Sequence, residues 1–400
     1  VAIAERIGFP VLVRPSYVLG GRAMEIIFTA ESLERYIEAN EYAFQGQPVL
    51  IDKYYRGVEA EVDLISDGKD VIIPGIMEHI ERSGIHSGDS MAAYPPVSLS
   101  RELRERIRDY SERIARSIAA KGIINIQFVV DEKGELFVIE VNPRASRTIP
   151  FLSKVTGIPM VTLAMMAITG QEFKKLGLPT GLMPDTETYA VKSPVFSFAK
   201  MIQVDVGLGP EMKSTGEVMG IGQTFAQALK KSMMAAGLKV PEFGAGREKP
   251  IPLLCTVADK DKEEALYLMQ RFAEMGFVIY STTGTAAYLN RKGLKATPVF
   301  KLTEGRPHII DMLRNGRFEL IINTISDNRT AEIEARAIRR AAVEGNIPVL
   351  TSLDTANALL TALITPLEDE DGLPHVTELH SIPLRFADVL EKALARVPAG

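Results

Sequence analysis

The sequence predicts two units of different class, an α+β unit on a largely antiparallel sheet followed by an α/β unit on a parallel sheet. Three observations carry this. Strand-like runs before residue 237 are joined by short polar turns such as Ser66-Asp67-Gly68-Lys69 and Asp131-Glu132-Lys133-Gly134, which favour antiparallel neighbours. After residue 252, apolar strands alternate with amphipathic helices, the rhythm of a parallel sheet covered on both faces. Between them, Pro241, Gly244, Gly246, Pro250 and Pro252 give 237–252 the composition of a linker. The expected divisions are 1–236, 237–252 and 253–400.

Taken in order, 1–8 reads as the end of a helix running into a strand at 11–14. Because the chain opens in this way, and on Val1, it is expected to be a fragment or one product of a split gene. The runs 49–52, 59–66, 71–78, 123–130 and 136–142 read as strands. Residues 100–120 read as an amphipathic helix with Leu103, Ile107, Ile114 and Ile118 on its apolar side, following the helical period. Downstream, strands are expected at 253–257, 277–281, 297–301, 320–323 and 349–352. Helices are expected at 260–275, 283–291, 308–315, 331–344 and 356–364.

Composition narrows the function classes. At 400 residues the chain is too long for one ordinary core, which predicts two or three domains. A net charge of -5 gives no basis for a nucleic-acid partner, which favours a basic surface. Cys255 is the single cysteine and cannot pair within the chain. With no signal-peptide pattern and no run of about 20 apolar residues, the expected setting is a reduced cytoplasm without a membrane span.

The sharpest chemical signal is Ile139-Glu140-Val141-Asn142-Pro143-Arg144-Ala145-Ser146-Arg147. Alternation along a strand puts Glu140 and Asn142 on one face. Pairing across the 131–134 turn is expected to set Gln127 opposite Val138, diagonal to Glu140 on that face. One carboxylate and two amides make a partial oxygen shell of the kind that magnesium shares with substrate phosphates. Arg144 and Arg147 follow past the strand end, where guanidinium groups hold phosphate or carboxylate by forked hydrogen bonds. The competing reading is the solvent face of a hairpin, the commonest source of alternation.

Two further clusters stand upstream. A strand delivers Arg14, and Arg14-Pro15-Ser16-Tyr17-Val18-Leu19-Gly20-Gly21-Arg22-Ala23-Met24 follows. Paired glycines let backbone approach a ligand closely and can form an anion nest; an ordinary turn is the competing reading. No Gly-Lys-Ser/Thr completes a Walker loop. His79 and His86, with Glu78, Glu81 and Asp89 around them, raise zinc as a reading, but the helical His-Glu-x-x-His arrangement is missing, and a nucleotide-side loop or simply a polar turn is the better account. In the second unit, Thr282-Thr283-Gly284-Thr285 lies between a strand and a helix start, with Lys262, Lys301 and Asn323 near the same strand ends. Such an edge is the expected ligand crevice of a doubly wound sheet and suits an anion. A helix cap with solvated lysines is the competing account.

The residues 14–24, 77–90, 139–151 and 208–220, the last reading LGPEMKSTGEVMG, resemble the carbamoyl phosphate synthetase large subunit over essentially the whole chain. The resemblance is to its second ATP-grasp half, which phosphorylates carbamate, followed by its methylglyoxal-synthase-like regulatory domain. It implies that Arg14 contacts ATP phosphates. It sets Asp52, Lys53 and Tyr55 at the adenine pocket and Glu59 at the ribose. It also implies that Gly84, Ile85, His86 and Ser87 form the loop against the nucleotide. His79, Glu81 and Ser90 fall near a monovalent-cation site. Gln127, Glu140 and Asn142 match ligands of Mg2+ or Mn2+, with Gln127 and Glu140 also counted among the ATP contacts, while Arg144 and Arg147 orient phosphates and carbamate. The implied cofactors are ATP, the divalent metal and K+.

In the terminal domain, Lys262, Thr282, Thr285, Lys301 and Asn323 match contacts to a nucleotide monophosphate effector. The implied partners are the N-terminal half of the large subunit and a glutamine amidotransferase small subunit, in arginine and pyrimidine biosynthesis. The segment that precedes position 1 in the family supplies one wall of the nucleotide site, so the isolated chain is expected to be a poor catalyst. Two positions and one run depart from the family. Ile325 replaces a threonine of the effector site, and Ser193 replaces the carboxylate of ornithine-regulated members. Gly305-Arg306-Pro307-His308 lacks the catalytic aspartate of a methylglyoxal synthase. A non-catalytic nucleotide-binding regulatory module and a different ATP-grasp ligase are the alternatives.

Overall fold

The computed structural model describes residues 1–16, 20–44, 48–201, 204–238, 249–326, 328–367 and position 391. Val18 and Leu19 of the glycine loop, Pro241, Gly244 and Gly246 of the expected linker, and most of the chain beyond 367 lie outside the described residues.

A small lobe comes first. Helix α1 (Ala2–Ile7) leads into β1 (Val11–Pro15), β2 (Glu25–Ile27), α2 (Ala30–Phe44) and β3 (Val49–Lys53). The strands form a three-stranded antiparallel sheet in the order β2-β1-β3. Ala4, Val11, Val13, Ile27, Leu33 and Tyr36 make its own core.

The main sheet has nine strands. These are β4 (Gly57–Asp67), β5 (Val71–Ile73), β6 (Ile76–His79), β7 (Ala92–Tyr94), β8 (Lys121–Asp131), β9 (Leu136–Asn142), β10 (Gly181–Leu182), β11 (Tyr189–Val195) and β12 (Gly216–Gly222). The long strand β4 carries β8 along one edge and both β5 and β6 along the other, and β9 pairs outside β8. Every pairing is antiparallel except β10 with β5. Helix α3 (Arg101–Ser117), capped by the Ser100 hydroxyl on Leu103 N at 3.2 Å, covers one face through Ile107 and Ala115. The other face is covered at one end by α4 (Thr148–Thr156), α5 (Met160–Ile168) and α6 (Phe173–Leu176).

The second unit is the parallel sheet that the strand–helix rhythm predicts. Its strands are β13 (Ile251–Thr256), β14 (Phe277–Thr282), β15 (Ala296–Val299), β16 (Leu320–Asn323) and β17 (Val349–Leu350). The order β15-β14-β13-β16-β17 reverses direction between β13 and β16. Helices α8 (Lys262–Glu274), α9 (Thr283–Arg291), α10 (Ile309–Arg314), α11 (Arg329–Glu344) and α12 (Leu353–Ile364) surround it. Before it, α7 (Phe225–Ala235) packs on β11 and β12 and also on α12. One hydrophobic cluster therefore runs from Ala93 and Val191 through Ala228 and Met233 to Leu253 and Leu359.

Several expectations need correction. The run 71–78 is two strands broken at Pro74-Gly75, since proline has no N–H for a ladder and glycine weakens a strand interior; Gly75 also lies where an added Cβ would be 2.1 Å from the Tyr94 ring. The strand expected at 297–301 ends at Val299. Ile118 stands past the end of α3 and is 48% exposed, so the apolar side of that helix is shorter than its period suggests. Cys255 is fully buried in β13, where burial pushes its thiol up to about 12. Among the described residues no single helix is long and apolar enough to cross a membrane.

Candidate functional site

Alternation along β4 sets Glu59, Glu61 and Asp63 on the face opposite Ala60, Val62 and Leu64, which pack under α3. Glu61 lies across from Gln127 and Asp63 across from Asn125 on β8. On the far side of β8, Gln127 faces Glu140 and Asn125 faces Asn142. This differs from the expected register, in which Gln127 faced Val138. Near the turn, Val130 pairs with Leu136 and Phe128 with Val138; a bulge then leaves Ile139 unpaired. A single extra residue shifts every later pair. Without it, Gln127 would face Ile139 and the carboxylate of Glu140 would be on the α3 side.

The amides on this face orient one another. Asn125 Nδ2 donates to Glu61 Oε1 at 2.6 Å and to Asp63 Oδ1 at 3.2 Å. Its Oδ1 accepts from the Gln127 and Asn142 amides, each at 3.4 Å. Asn142 also donates to Glu140 Oε1 at 2.7 Å, and Gln127 donates to Ser87 Oγ at 3.2 Å. With their nitrogens committed, the amides of Gln127 and Asn142 keep oxygens for a cation beside the exposed Glu140. One carboxylate and two amide oxygens suit a hard divalent ion such as magnesium. Among the described residues no group of three histidine, cysteine or carboxylate side chains could hold a metal.

Beside this open patch, on the same face, lies a buried charged cluster in which sequence reasoning found Glu59 and His79 but missed Glu61, Asp63 and Lys192. His79 sits between two carboxylates, Nδ1 at 3.2 Å from Glu59 and Nε2 at 3.5 Å from Glu61. Burial alone would lower its pKa, but the two carboxylates outweigh it and raise it to about 9. Burial pushes Glu61 up, yet His79, Lys192 and Asn125 hold it well below the usual carboxylate range. Asp63 goes the other way, raised by burial and by the charge of Glu61. Its carboxyl accepts from Ser146 Oγ at 2.8 Å and from Thr148 Oγ1, tying the start of α4 to the sheet. Lys192, also buried, donates to Ser87 O at 3.0 Å.

The remaining expected residues divide. Loop 84–90 is held against this face: Gly84 N donates to Glu59 Oε1 at 3.3 Å, and His86 Nδ1 accepts from Gly88 N at 3.0 Å. Ile85 lies half-buried in the same loop. Arg144 and Arg147 are both exposed; Arg147 reaches Ser214 Oγ at 3.0 Å, whereas Arg144 donates to Ala145 O at 3.2 Å. In the small lobe Arg14 pairs with Asp52 at 3.1 Å. Lys53 does not join the face, because its ammonium is turned to Gly8 O at 2.7 Å and Phe9 O at 3.3 Å. Tyr55 stacks on Phe137 with centroids 4.1 Å apart. The paired glycines serve a close approach by the chain itself: an added Cβ on Gly21 would lie 1.9 Å from Pro210 O, and Met212 N donates to Gly20 O at 3.0 Å. Glu81 accepts from Met91 N at 2.7 Å and from Thr355 Oγ1 at 2.8 Å, while Ser90 Oγ donates to His86 O at 3.4 Å.

In the second unit the expected effector residues do converge. Lys262, Thr282, Thr285, Lys301, Asn323 and Thr256 line a cavity of about 650 Å³ where the strand order reverses, as doubly wound sheets place their ligands. Lys262 is held by Asp259 at 2.6 Å and Asn323 Nδ2 by Thr256 Oγ1 at 2.7 Å. Ile325 lies against Gly207 of the first unit, its Cδ1 3.1 Å from where a Cβ on that glycine would be. His308 caps α10 through a reciprocal pair with Asp311, at 3.2 and 3.1 Å.

Fold and site together define an ATP-grasp unit joined to a methylglyoxal-synthase-like unit. Residues 1–176 match the family described as carbamoyl-phosphate synthase L chain, ATP binding domain, and residues 264–351 match the MGS-like domain. In this order the two matches correspond to the C-terminal portion of a carbamoyl-phosphate synthase large chain. Solved structures also show similarity. One is the biotin carboxylase domain of the Hydrogenobacter thermophilus 2-oxoglutarate carboxylase, in complex with MgADP, ADP and bicarbonate, at 24% identity and TM-score 0.41, covering 49% of this chain and 43% of that one. Another is a Campylobacter jejuni biotin carboxylase–β-γ-ATP complex, at 17% identity and TM-score 0.45, covering 58% of each chain. A third is the Thermotoga maritima N5-carboxyaminoimidazole ribonucleotide synthetase, at 15% identity and TM-score 0.42, covering 59% and 63%. The chain thus spans about half the length of the solved structures it matches.

Proposed function

We propose that this chain carries out ATP-dependent phosphorylation of carbamate to carbamoyl phosphate, as the C-terminal part of a carbamoyl-phosphate synthase large chain. The observation that carries the reading is the Gln127–Glu140–Asn142 face, set by the bulge and flanked by Arg144 and Arg147. In the reaction a carbamate oxygen attacks the γ-phosphorus of ATP in line, a P–O bond forms, and the bond to ADP breaks. Glu140, Gln127 and Asn142 would hold Mg2+ or Mn2+, which neutralises phosphate charge when bound. Arg147, anchored on Ser214, and Arg144 orient phosphate and carbamate oxygens; loop 84–90 and Glu59 position the nucleotide. Such a site works by positioning and charge neutralisation with no covalent enzyme intermediate.

The reading extends to a K+ ion near His79, Glu81 and Ser90, and to a nucleotide monophosphate in the 253–400 unit acting as effector. It also extends to the N-terminal half and an amidotransferase subunit as partners, in arginine and pyrimidine biosynthesis. The test is ATP formation from ADP and carbamoyl phosphate with magnesium. Wild type is expected to form ATP above background and Glu140→Gln is not; equal rates in the two sink the metal-ligand assignment. ADP release that requires an amino acid or biotin instead of carbamate would favour another ATP-grasp ligase.

A further inference from the structure

We infer that Asp63 is a positioning residue for phosphoryl transfer: it fixes the segment from Asn142 to Thr148, and with it the two arginines that meet phosphate and carbamate. The inference rests on the carbamate-phosphorylating reading of this site.

Register sets Asp63, Asn125 and Asn142 side by side on β4, β8 and β9. Asn125 joins the row, because its Nδ2 donates to Asp63 Oδ1 at 3.2 Å and its Oδ1 accepts from Asn142 at 3.4 Å. The chain leaves the row at Asn142, carries Arg144 and Arg147, and returns to the row's other end. There Asp63 Oδ2 accepts from Ser146 Oγ at 2.8 Å and from Thr148 Oγ1. Ser146 Oγ itself accepts from Thr148 N at 3.1 Å. The carboxylate thus stands at the start of α4, where negative charge is favoured. Both ends of the segment are tied to one row of three side chains.

Asp63 has no exposed surface, so it acts only through the groups it holds. Arg147 has a second hold, since its Nη1 donates to Ser214 Oγ at 3.0 Å. Arg144 has none outside the segment: among the described residues its guanidinium bonds only Ala145 O, at 3.2 Å. Pro143, Arg144 and Ala145 are exposed. The direction of Arg144 is therefore set by the backbone between the two tied ends. Asp63→Ala removes the acceptor at one end. Asp63→Asn keeps the contacts, because its oxygen can face Asn125 and its NH2 the two hydroxyls, which accept as well as donate.

The test uses the 400-residue chain with Asp63→Ala, Asp63→Asn, and a double variant, Ser146→Ala with Thr148→Val, that removes the same hydrogen bonds from the segment's side. ATP formation from ADP and carbamoyl phosphate gives kcat and both KM values, and paramagnetic resonance gives Mn2+ affinity. Limited trypsin digestion, read by mass spectrometry, gives cleavage after Arg144 and Arg147 relative to the exposed Arg113 of α3. Asp63→Ala and the double variant are each expected to lower kcat/KM for carbamoyl phosphate by about 10–100-fold, the value of a hydrogen bond to a charged group. KM for ADP and the Mn2+ dissociation constant are expected to stay within about threefold of wild type. Relative cleavage at Arg144 and Arg147 should rise about tenfold, since it follows the population of the opened segment. Asp63→Asn is expected to stay within about threefold of wild type throughout. Unchanged relative cleavage in both loss variants overturns the proposal, as does a loss spread evenly over carbamoyl phosphate, ADP and Mn2+. A wild type that forms no ATP overturns the reading of the site and the role in transfer with it; faster cleavage then leaves Asp63 only as an anchor of the segment.

Discussion

Gln127 and Glu140 face each other directly across β8 and β9 because Ile139 has no partner. Deleting Ile139 would remove the bulge yet leave Glu140 opposite Gln127, whereas deleting Val141 would turn Asn142 to the α3 side. The first variant is expected to bind Mn2+ within about tenfold of wild type. The second is expected to lose on the order of 10–100-fold, the usual cost of disturbing a metal site's surroundings. Paramagnetic resonance of bound Mn2+ distinguishes them; equal affinities would separate the register from metal binding.

Gly21 has φ of +73° and no room for a Cβ beside Pro210 O, whereas Gly20 has φ of +63° and open space. Gly20→Ala should cost only the strain of the left-handed backbone, about 1–3 kcal/mol. Gly21→Ala adds a backbone clash and is expected to be clearly the more destabilising. Urea midpoints compare the two, and a reversed order contradicts the close approach.

Glu81 is raised to about 7 by burial, with Asp354 adding to it. A carboxyl raised in the folded state favours folding when protonated. Its contribution is complete below the unfolded value near 4.5 and is lost as pH rises through about 7. At full burial this is on the order of 3 kcal/mol. The melting temperature of wild type relative to Glu81→Gln should therefore fall between pH 5 and pH 8; a flat difference would show that Glu81 does not titrate there.

Lys262 lines the cavity at Asn323 with its ammonium already held by Asp259. Lys262→Ala is expected to weaken uridine monophosphate binding by roughly 10–100-fold, the value of one charge-assisted hydrogen bond. Fluorescence competition measures it. A change below about threefold would place the anion elsewhere in the cavity.

Much of this was legible because strands and helices advertise their faces by period. The runs 123–130 and 136–142, the parallel rhythm after 252 and the convergence at Asn323 all followed. The Ile139 bulge did not, since an extra residue in a strand has no composition of its own. Nor did the buried layer of Glu61, Asp63 and Lys192: alternating charges mark a face, and only tertiary packing decides whether water reaches it. The Glu-Ala-Glu-Val-Asp run at 59–63 carried the one available hint, three acids on one side of a strand with apolar residues on the other. Arg339 carries no signal of its own in the 331–344 run, yet it is the largest fully buried side chain among the described residues.

Helix α7 belongs to both units. An added Cβ on Gly220 would lie 2.1 Å from Ala228 O, so the helix rests almost on the backbone of β12, while its other side meets α12 and Lys230 reaches Thr365 O at 2.6 Å. A protease nick within 239–248 would thus break a covalent bond without opening an interface. The two pieces should co-elute from a sizing column and melt in a single calorimetric peak, and any attempt to prepare the second unit alone would expose the apolar side of α12 that α7 covers.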